Sequence, residues 1–225
     1  MKDSSLIELS DYFKSIGIKS DEIYFVGGTS RDYLLGLEVE DFDFASKLSP
    51  SKLDKLFNNE EKYSSRYLNY GAVSFKIDSK HITITSMRKE KTYLDHRHPN
   101  DIEFITDLNV DSLRRDFTIN SIYMDLDLNI YDPNNGKEDL NNKIIRMIGD
   151  IPTRIKEDPL RILRAYRFKE KLNFEIEEEL NTYICNNFSL LKNIKKEKIV
   201  LELQKFDKLN AGKIINLLKD NQIEI

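Results

Sequence analysis

The chain has 225 residues, of which 40% are hydrophobic and 33% are charged, and its formal net charge is −4. This composition supports a hydrophobic core in one large domain, or in one domain with an appendage. The negative charge argues against broad, unspecific binding to RNA, which favours a basic surface, although the lysine-rich stretch 189–208 allows a small RNA footprint.

Several other classes of protein are excluded by the sequence. No apolar run approaches the roughly 20 residues needed to span a bilayer. The first residues, MKDSSLIELSDYF, are acidic where a signal peptide needs a basic start. Cys185 is the single cysteine, which excludes a disulfide framework and a cysteine-based metal site. We therefore expect a cytoplasmic protein.

Apolar periodicity and turn residues predict a mixed set of elements in the first half of the chain. In chain order they are a helix over 4–15, a strand over 23–28, a helix over 29–36, a strand over 41–45, and a hairpin of 71–77 with 81–87. Thr29 or Ser30 is the expected cap of the second helix. Residues 88–112 are polar, with little periodicity.

Helical periodicity takes over from about residue 151. The predicted helices are 158–172, 175–188, 195–206 and 210–219. We therefore predict an α+β fold, with a small mixed sheet and helices in a head domain over 1–148 and an all-helical neck domain over 149–225.

Two aspartates in the second predicted strand are candidate metal ligands. Alternation places Asp41 and Asp43 on one face of the strand and Phe42 and Phe44 on the other. Two close carboxylates repel each other unless a cation lies between them, and Mg²⁺ is usually held by one or two carboxylates with substrate phosphates. Taken alone, such a pair is more often the acidic edge of an exposed strand.

A glycine pair upstream strengthens the metal hypothesis. Gly27 and Gly28 follow a strand and precede a helix, where backbone N–H groups can approach a phosphate and the helix start favours negative charge. Arg31 lies on the first turn, within reach of a triphosphate. An ordinary strand-to-helix turn with a surface arginine is the alternative, but a phosphate cradle followed by a carboxylate pair is more specific.

The segment VGGTSRDYLLGLEVEDFDFAS (26–46) resembles class II CCA-adding enzymes and bacterial poly(A) polymerases, within the polymerase-β-like superfamily. Four further motifs resemble the family in the expected order: RRDFTINSIYMD (114–125), DPNNGKEDL (132–140), EDPLRILRAYRF (157–168) and NIKKEKIVLELQKF (193–206). The resemblance implies a polymerase-β-like nucleotidyltransferase head followed by a neck. It also implies that Arg115 contacts the triphosphate and that Asp116 and Asn120 order the site around the sugar. A buried Arg–Asp pair that supports the fold is the alternative.

The resemblance assigns base selection to Glu157, Asp158 and Arg161. An acid acceptor beside an arginine donor can hydrogen-bond the Watson–Crick edges of cytosine and adenine. A helix cap with an i,i+3 salt bridge is the alternative. Arg164 and Arg167 are candidates for contact with RNA phosphates.

The match departs from the family in two places. The family commonly has a third carboxylate where this chain has Thr83, which places metal affinity or rate in doubt. Related enzymes also continue into body and tail domains after the neck. The sequence leaves open a shortened chain, a natural minimal form and one part of a split enzyme, so a partner chain that supplies these domains and a homodimer are both candidate partners.

The sequence thus predicts a Mg²⁺-dependent nucleotidyltransferase that uses CTP and ATP to extend the 3′ acceptor end of tRNA. An enzyme that adds only the final A remains open. A poly(A) polymerase typically has an arginine-rich segment that residues 60–75 lack, and an enzyme that adds only CC would lack the loop at 88–112. A non-catalytic tRNA or nucleotide-binding module is the rival from another class.

Overall fold

The computed structural model describes residues 4–90 and 102–224. These residues form two compact units, one of residues 4–90 and 102–140 and one of residues 141–224. No helix in these ranges is long and apolar enough to cross a membrane. The head–neck boundary at residues 148 and 149 stays a prediction.

The first unit is built on a seven-stranded mixed sheet. Its strands are β1 (Ile23–Phe25), β2 (Asp41–Ser46), β3 (Glu61–Ser64), β4 (Ala72–Ile77), β5 (Lys80–Ser86), β8 (Tyr123–Met124) and β9 (Ile130–Tyr131). Their order across the sheet is β3-β4-β5-β2-β1-β8-β9. The strands β6 (Arg88–Glu90) and β7 (Ile102–Phe104) form a separate antiparallel pair. The helices are α1 (Ser4–Ser15), α2 (Gly28–Leu34), α3 (Pro50–Phe57), α4 (Leu108–Leu113) and, at the end of this unit, α5 (Gly136–Asn142).

Alternation along β2 places the aromatic residues in the core and the acids on the opposite face. Phe42 and Phe44 are buried, while Asp41 and Asp43 are exposed. The Phe44 ring meets the ring of Phe13 from α1 edge to face, with 5.0 Å between centroids. Burial of such rings contributes about 1.5–3 kcal/mol each. The core therefore holds β2 in one orientation, and this orientation presents the acids to solvent.

The predicted helix over 4–15, the strand over 41–45 and the β4–β5 hairpin are confirmed, but one cap is wrong. Gly27, and not Thr29 or Ser30, is the N-cap of α2, which begins at Gly28. Both hydroxyl residues lie inside the helix. Their side chains donate hydrogen bonds to the Asp41 and Ile122 carbonyls instead of capping the helix. The polar stretch over 88–112 contains β6, β7 and α4, which the sequence analysis missed.

The second unit is mostly helical. Its helices are α6 (Ile151–Glu157), α7 (Leu160–Leu172), α8 (Glu178–Asn187), α9 (Lys196–Leu203) and α10 (Lys208–Asp220). A short parallel pair of β10 (Ile144–Ile145) and β11 (Glu175–Ile176) adds a small sheet to these helices. This pairing joins residues 144 and 145 to the second unit.

Candidate active site

The acidic face of β2 is extended by polar residues of the neighbouring strand. β5 runs parallel to β2, with Asp41 in register with His81 and Asp43 in register with Thr83. The His81 Nδ1 atom lies 3.8 Å from Asp41 Oδ1. Thr83 therefore occupies the place beside Asp43 where the family resemblance leads us to expect a third carboxylate.

The glycine turn lies directly against one of these acids. Gly27 has φ 69° and ψ −128°, a backbone conformation that is accessible almost only to glycine. A Cβ at this position would lie 3.7 Å from Asp43 Oδ2. The Thr29 hydroxyl accepts a hydrogen bond from the Asp43 N–H (2.7 Å) and donates one to the Asp41 carbonyl (3.2 Å). One side chain of α2 thus fixes the turn against the strand that carries the acids.

Arg31, Asn120 and Asp116, which the sequence analysis singled out, lie in one buried network. Arg31 is 3% exposed, and its Nη1 donates to Asn120 Oδ1 at 2.7 Å. Its Nε donates to Asp32 Oδ1, also at 2.7 Å. The amide of Asn120 donates to Asp116 Oδ1 at 3.1 Å. Arg31 therefore supports the glycine turn from within the fold, and its direct contact with a triphosphate stays a prediction.

Arg115 is held by two groups that the sequence analysis did not single out. Its Nη2 donates to Asp111 Oδ2 at 3.1 Å, and its Nε donates to the Tyr123 hydroxyl at 2.8 Å. Burial alone would raise the pKa of Asp111, but the charges of Arg114 and Arg115 outweigh it and lower that pKa below its usual range. Asp111 is therefore ionised at neutral pH, in contact with Arg115.

The electrostatic environment of Asp43 favours a bound cation. Desolvation by surrounding protein atoms raises the pKa of Asp43, although the side chain remains in contact with solvent. The charge of Asp41 acts in the same direction. The opposing positive charges, which are smaller in sum, come from Arg115, His81 and Arg31. A cation between the two carboxylates would relieve their repulsion.

The donor set fits a magnesium ion that shares its ligands with a substrate. Asp41 and Asp43 offer carboxylate oxygens on one face of β2. Among the described residues, no group of three or more His, Cys, Asp or Glu side chains comes together as a metal site. Mg²⁺ needs few protein ligands, because waters and phosphate oxygens complete its octahedron. We therefore expect metal and nucleotide to bind together.

We expect the substitution Asp43→Asn to stabilise the metal-free protein at neutral pH. An acid whose pKa is raised in the folded state contributes stability in its protonated form below its unfolded-state pKa, and this contribution is lost as pH rises through the folded-state pKa. The variant should therefore unfold at a higher temperature than the wild type at pH 7 in EDTA, and the difference should vanish in acid. Adding Mg²⁺ together with CTP should raise the midpoint of the wild type more than that of the variant. Thermal unfolding of both proteins across pH tests this, and a less stable variant at pH 7 contradicts it.

The three candidate base-selecting residues lie where α6 ends and α7 begins, in the second unit. Glu157 ends α6, and Asp158 has an extended backbone between the two helices. The Arg161 Nη1 donates to Glu157 Oε2 at 3.2 Å, and Arg154 also donates to this oxygen. Asp158 Oδ1 instead caps the Leu160 N–H. In the alternative interpretation Asp158 pairs with Arg161 at i,i+3. The structure instead has an i,i+4 pair of Arg161 with Glu157, because α7 starts two residues later than predicted.

The two arginines proposed for RNA contact are half-buried on α7. Arg167 Nε donates to Glu202 Oε1 at 2.8 Å, and its guanidinium lies over the ring of Phe168. The charges of Arg164 and Arg167 both help to lower the pKa of Glu202 against the effect of desolvation. Both arginines thus act on a buried acid of α9, and their contact with RNA stays a prediction.

Asp111, Tyr123 and Thr29 are the candidate functional residues that the sequence analysis missed. Asp111 stands three and four residues before Arg114 and Arg115, the spacing of helical neighbours. That spacing would have identified Asp111 if residues 108–113 had been recognised as a helix. His96 and His98 form an H-x-H pair for which the sequence favours a solvated loop over a metal site, and both lie outside the described residues.

Comparison with known proteins connects this geometry to one family. Residues 23–146 match the family model of the poly(A) polymerase head domain. The CCA-adding enzyme of Staphylococcus epidermidis is 35% identical over 192 residues, which are 85% of this chain and 47% of that protein. The CCA-adding enzyme of Staphylococcus haemolyticus is 39% identical, over 83% of this chain and 46% of that protein. This chain thus spans about half the length of these relatives.

Solved structures give the same relationship. The CCA-adding enzyme of Bacillus stearothermophilus in complex with CTP has a TM-score of 0.74 and 31% identity, over 88% of this chain and 47% of that one. A tRNA nucleotidyltransferase complexed with a primer tRNA and an incoming ATP analog has a TM-score of 0.71 and 28% identity, over 95% and 60%. The chain therefore belongs to the family of tRNA nucleotidyltransferases and poly(A) polymerases, of which it contains the head and neck portion.

Proposed function

We propose that this chain is a nucleotidyltransferase that adds C, A or both to the 3′ end of tRNA, using CTP and ATP with Mg²⁺. The observation that carries the proposal is the placement of Asp41 and Asp43 on one exposed face of β2, directly against the Gly27 turn. The family membership of residues 23–146 supports the same reaction. The named ligands of the related structures, CTP, an ATP analog and a primer tRNA, support these substrates.

In the proposed reaction, residues of the first unit bind the metal ion and the triphosphate. Asp41 and Asp43 would hold Mg²⁺, which when bound neutralises phosphate charge and favours attack by a hydroxyl. The backbone N–H groups at Gly27 and Gly28 and the guanidinium of Arg115 would bind the triphosphate. The RNA 3′-hydroxyl attacks the α-phosphate, a new phosphodiester bond forms, and pyrophosphate leaves with the electrons of the broken bond.

Base selection by Glu157, Asp158 and Arg161 is part of this proposal. A carboxylate and a guanidinium together offer acceptors and donors to the edge of a base. The Glu157–Arg161 pair is bonded and partly buried, which limits the positions that its donors and acceptors can take. A fixed pattern of this kind can distinguish cytosine and adenine from uracil and guanine.

The substitution Arg161→Lys should reduce discrimination of CTP and ATP against UTP and GTP by about tenfold, because lysine keeps the charge but lacks the planar, fixed donors of the guanidinium. Affinity for the triphosphate should change less. Arg167→Lys, on the same helix but bonded to Glu202, is the matched control and should keep the wild-type preference. Rates of incorporation with each nucleotide measure the effect. Unchanged selectivity in Arg161→Lys would leave Arg161 with a structural role only.

One incubation series tests the proposed function. The chain is mixed with Mg²⁺, with each nucleotide singly and with CTP and ATP together, and with tRNAs that end in the discriminator base, in C or in CC. Completion of all three ends supports full CCA addition, whereas extension of the CC end alone identifies an A-adding enzyme. Long A tails on any RNA identify a poly(A) polymerase, and binding without extension identifies a non-catalytic module. Light scattering with and without tRNA tests the accompanying proposal of a homodimer or a partner chain.

A further inference from the structure

The side chain of Asp111, on α4, collects hydrogen bonds from three separate segments of the first unit. It is fully buried. Its Oδ2 accepts from Arg115 Nη2 (3.1 Å) and from the Tyr123 hydroxyl (2.7 Å). Its Oδ1 accepts from Arg114 Nε (2.8 Å) and from the Arg88 backbone N–H (3.0 Å). Each carboxylate oxygen therefore has two donors, which accounts for most of the capacity of the group.

These contacts fix the plane of the Arg115 guanidinium. Two of its nitrogens are bonded, Nη2 to Asp111 and Nε to the Tyr123 hydroxyl. The guanidinium carbon also lies 5.0 Å from the centroid of the Tyr123 ring. A guanidinium presents its donors in one rigid plane, so these two hydrogen bonds and the ring fix the orientation of that plane. Of the positive charges near Asp43, that of Arg115 lowers the pKa of Asp43 the most.

The other oxygen of Asp111 fixes the start of the β6–β7 pair. The Arg88 N–H that it accepts belongs to the first residue of β6. The Arg88 side chain in turn donates to the Tyr70 carbonyl (2.6 Å) and forms an ion pair with Glu90 (2.7 Å). The buried carboxylate of Asp111 therefore joins the first residue of β6 to Arg115, whose charge acts on Asp43.

We propose that Asp111 is a positioning residue for nucleotide binding, which orients Arg115 toward the triphosphate without touching the nucleotide itself. This inference rests on the proposed function, because it requires Arg115 to bind a phosphate. Asp111→Asn is the direct variant, since it keeps the shape of the side chain but replaces one acceptor oxygen with an NH₂ group. In either orientation that group would face donors, Arg115 and Tyr123 at one position or Arg114 and the Arg88 N–H at the other. In both orientations Arg115 loses the negative charge that holds its guanidinium.

The test is calorimetric binding of CTP with Mg²⁺ to the full chain, without RNA, so that no turnover occurs. Asp111→Asn should weaken CTP binding by about ten- to a hundredfold, as expected for loss of a charge-assisted hydrogen bond in a buried site. In an Arg115→Ala background the same substitution should have little further effect, because Asp111 acts through Arg115. A purely structural role predicts a lower fraction of binding-competent protein with an unchanged Kd.

Two further variants keep the test decisive if Asp111→Asn folds poorly. Tyr123→Phe removes one donor to Asp111 and one acceptor from Arg115 without leaving a charge unpaired, and should weaken CTP binding severalfold, again only when Arg115 is present. Asp125→Asn neutralises another buried acid of the same unit, which accepts hydrogen bonds from Asn129 in the turn after β8 and from Tyr131 in β9. This control should leave the Kd for CTP unchanged.

The outcomes separate the inference from the proposed function. If the wild type binds CTP and the variants at 111 and 123 bind it equally well, the inference is overturned and the proposed function stands. An equal loss in the Arg115→Ala background also overturns it, since Asp111 would then act by another route. If the wild type binds no nucleotide, the proposed function fails and the inference with it.

Discussion

Asp41→Asn and Asp43→Asn should each reduce nucleotide addition by at least about a thousandfold, since a bound metal contributes several kcal/mol of charge stabilisation in the transition state. Asparagine keeps the shape of the side chain, and both positions are exposed, so the core of β2 is preserved. Initial rates of RNA extension at saturating CTP measure the loss. Circular dichroism should show an unchanged fold.

The matched control for these variants is Asp78→Asn. Asp78 is an exposed acid in the turn between β4 and β5, with φ 52°, a conformation that asparagine tolerates well. Neutralising it changes the net charge by the same amount but leaves the β2 carboxylates intact. It should retain wild-type activity. Activity that survives in either β2 variant would show that Asp41 and Asp43 are only an acidic strand face.

Gly27→Ala should reduce kcat/KM for the nucleotide by about a hundredfold, because the turn that would bind the triphosphate must change its conformation. The backbone at φ 69° and ψ −128° strains any residue with a Cβ, at about 1–3 kcal/mol. The strain is relieved most directly by rotating the turn, which moves the N–H groups that would bind the triphosphate. The turn lies beside Asp43, since a Cβ on Gly27 would be in van der Waals contact with Asp43 Oδ2 at 3.7 Å. Steady-state kinetics at several CTP concentrations measure the change.

Gly36→Ala is the control for strain alone. Gly36 also has a positive φ, of 70°, but a Cβ there meets nothing within 4 Å. This variant should lose stability while its kcat/KM stays near that of the wild type. An equal loss of activity in both variants would mean that strain anywhere near α2 impairs the enzyme, and that the turn at Gly27 has no special role.

Much of the candidate site could be predicted because local and tertiary signals agree there. The alternation of Phe42 and Phe44 with Asp41 and Asp43 has the period of a strand with one buried face, and the structure places these residues in that arrangement. The β4–β5 hairpin has a tight turn at Asp78 between strands with alternating burial. In both cases a few neighbouring residues contain the whole signal.

The parts that could not be predicted depend on partners distant in the chain. α4 lacks a clear apolar stripe because the residues that it buries, Asp111 and Ser112, are polar. Asp111 can be buried because Arg88 and Tyr123 donate hydrogen bonds to it. A buried acid of this kind looks like a surface residue until its donors are known.

The predicted start of α7 at residue 158 is wrong, since α7 begins at Leu160. Glu157 and Asp158 suit the N-terminus of a helix, but Glu157 is the last residue of α6. Capping preferences alone cannot distinguish these alternatives.

The most direct test of the central claim measures RNA extension and pyrophosphate release in the same reaction. The full chain is incubated with a tRNA acceptor, CTP and Mg²⁺, and the mass of the RNA and the pyrophosphate are followed together. The account predicts one pyrophosphate for each nucleotide added, in wild type and Asp78→Asn, and neither product in Asp41→Asn or Asp43→Asn. Wild-type protein that binds CTP and tRNA but yields no extended RNA and no pyrophosphate would contradict it.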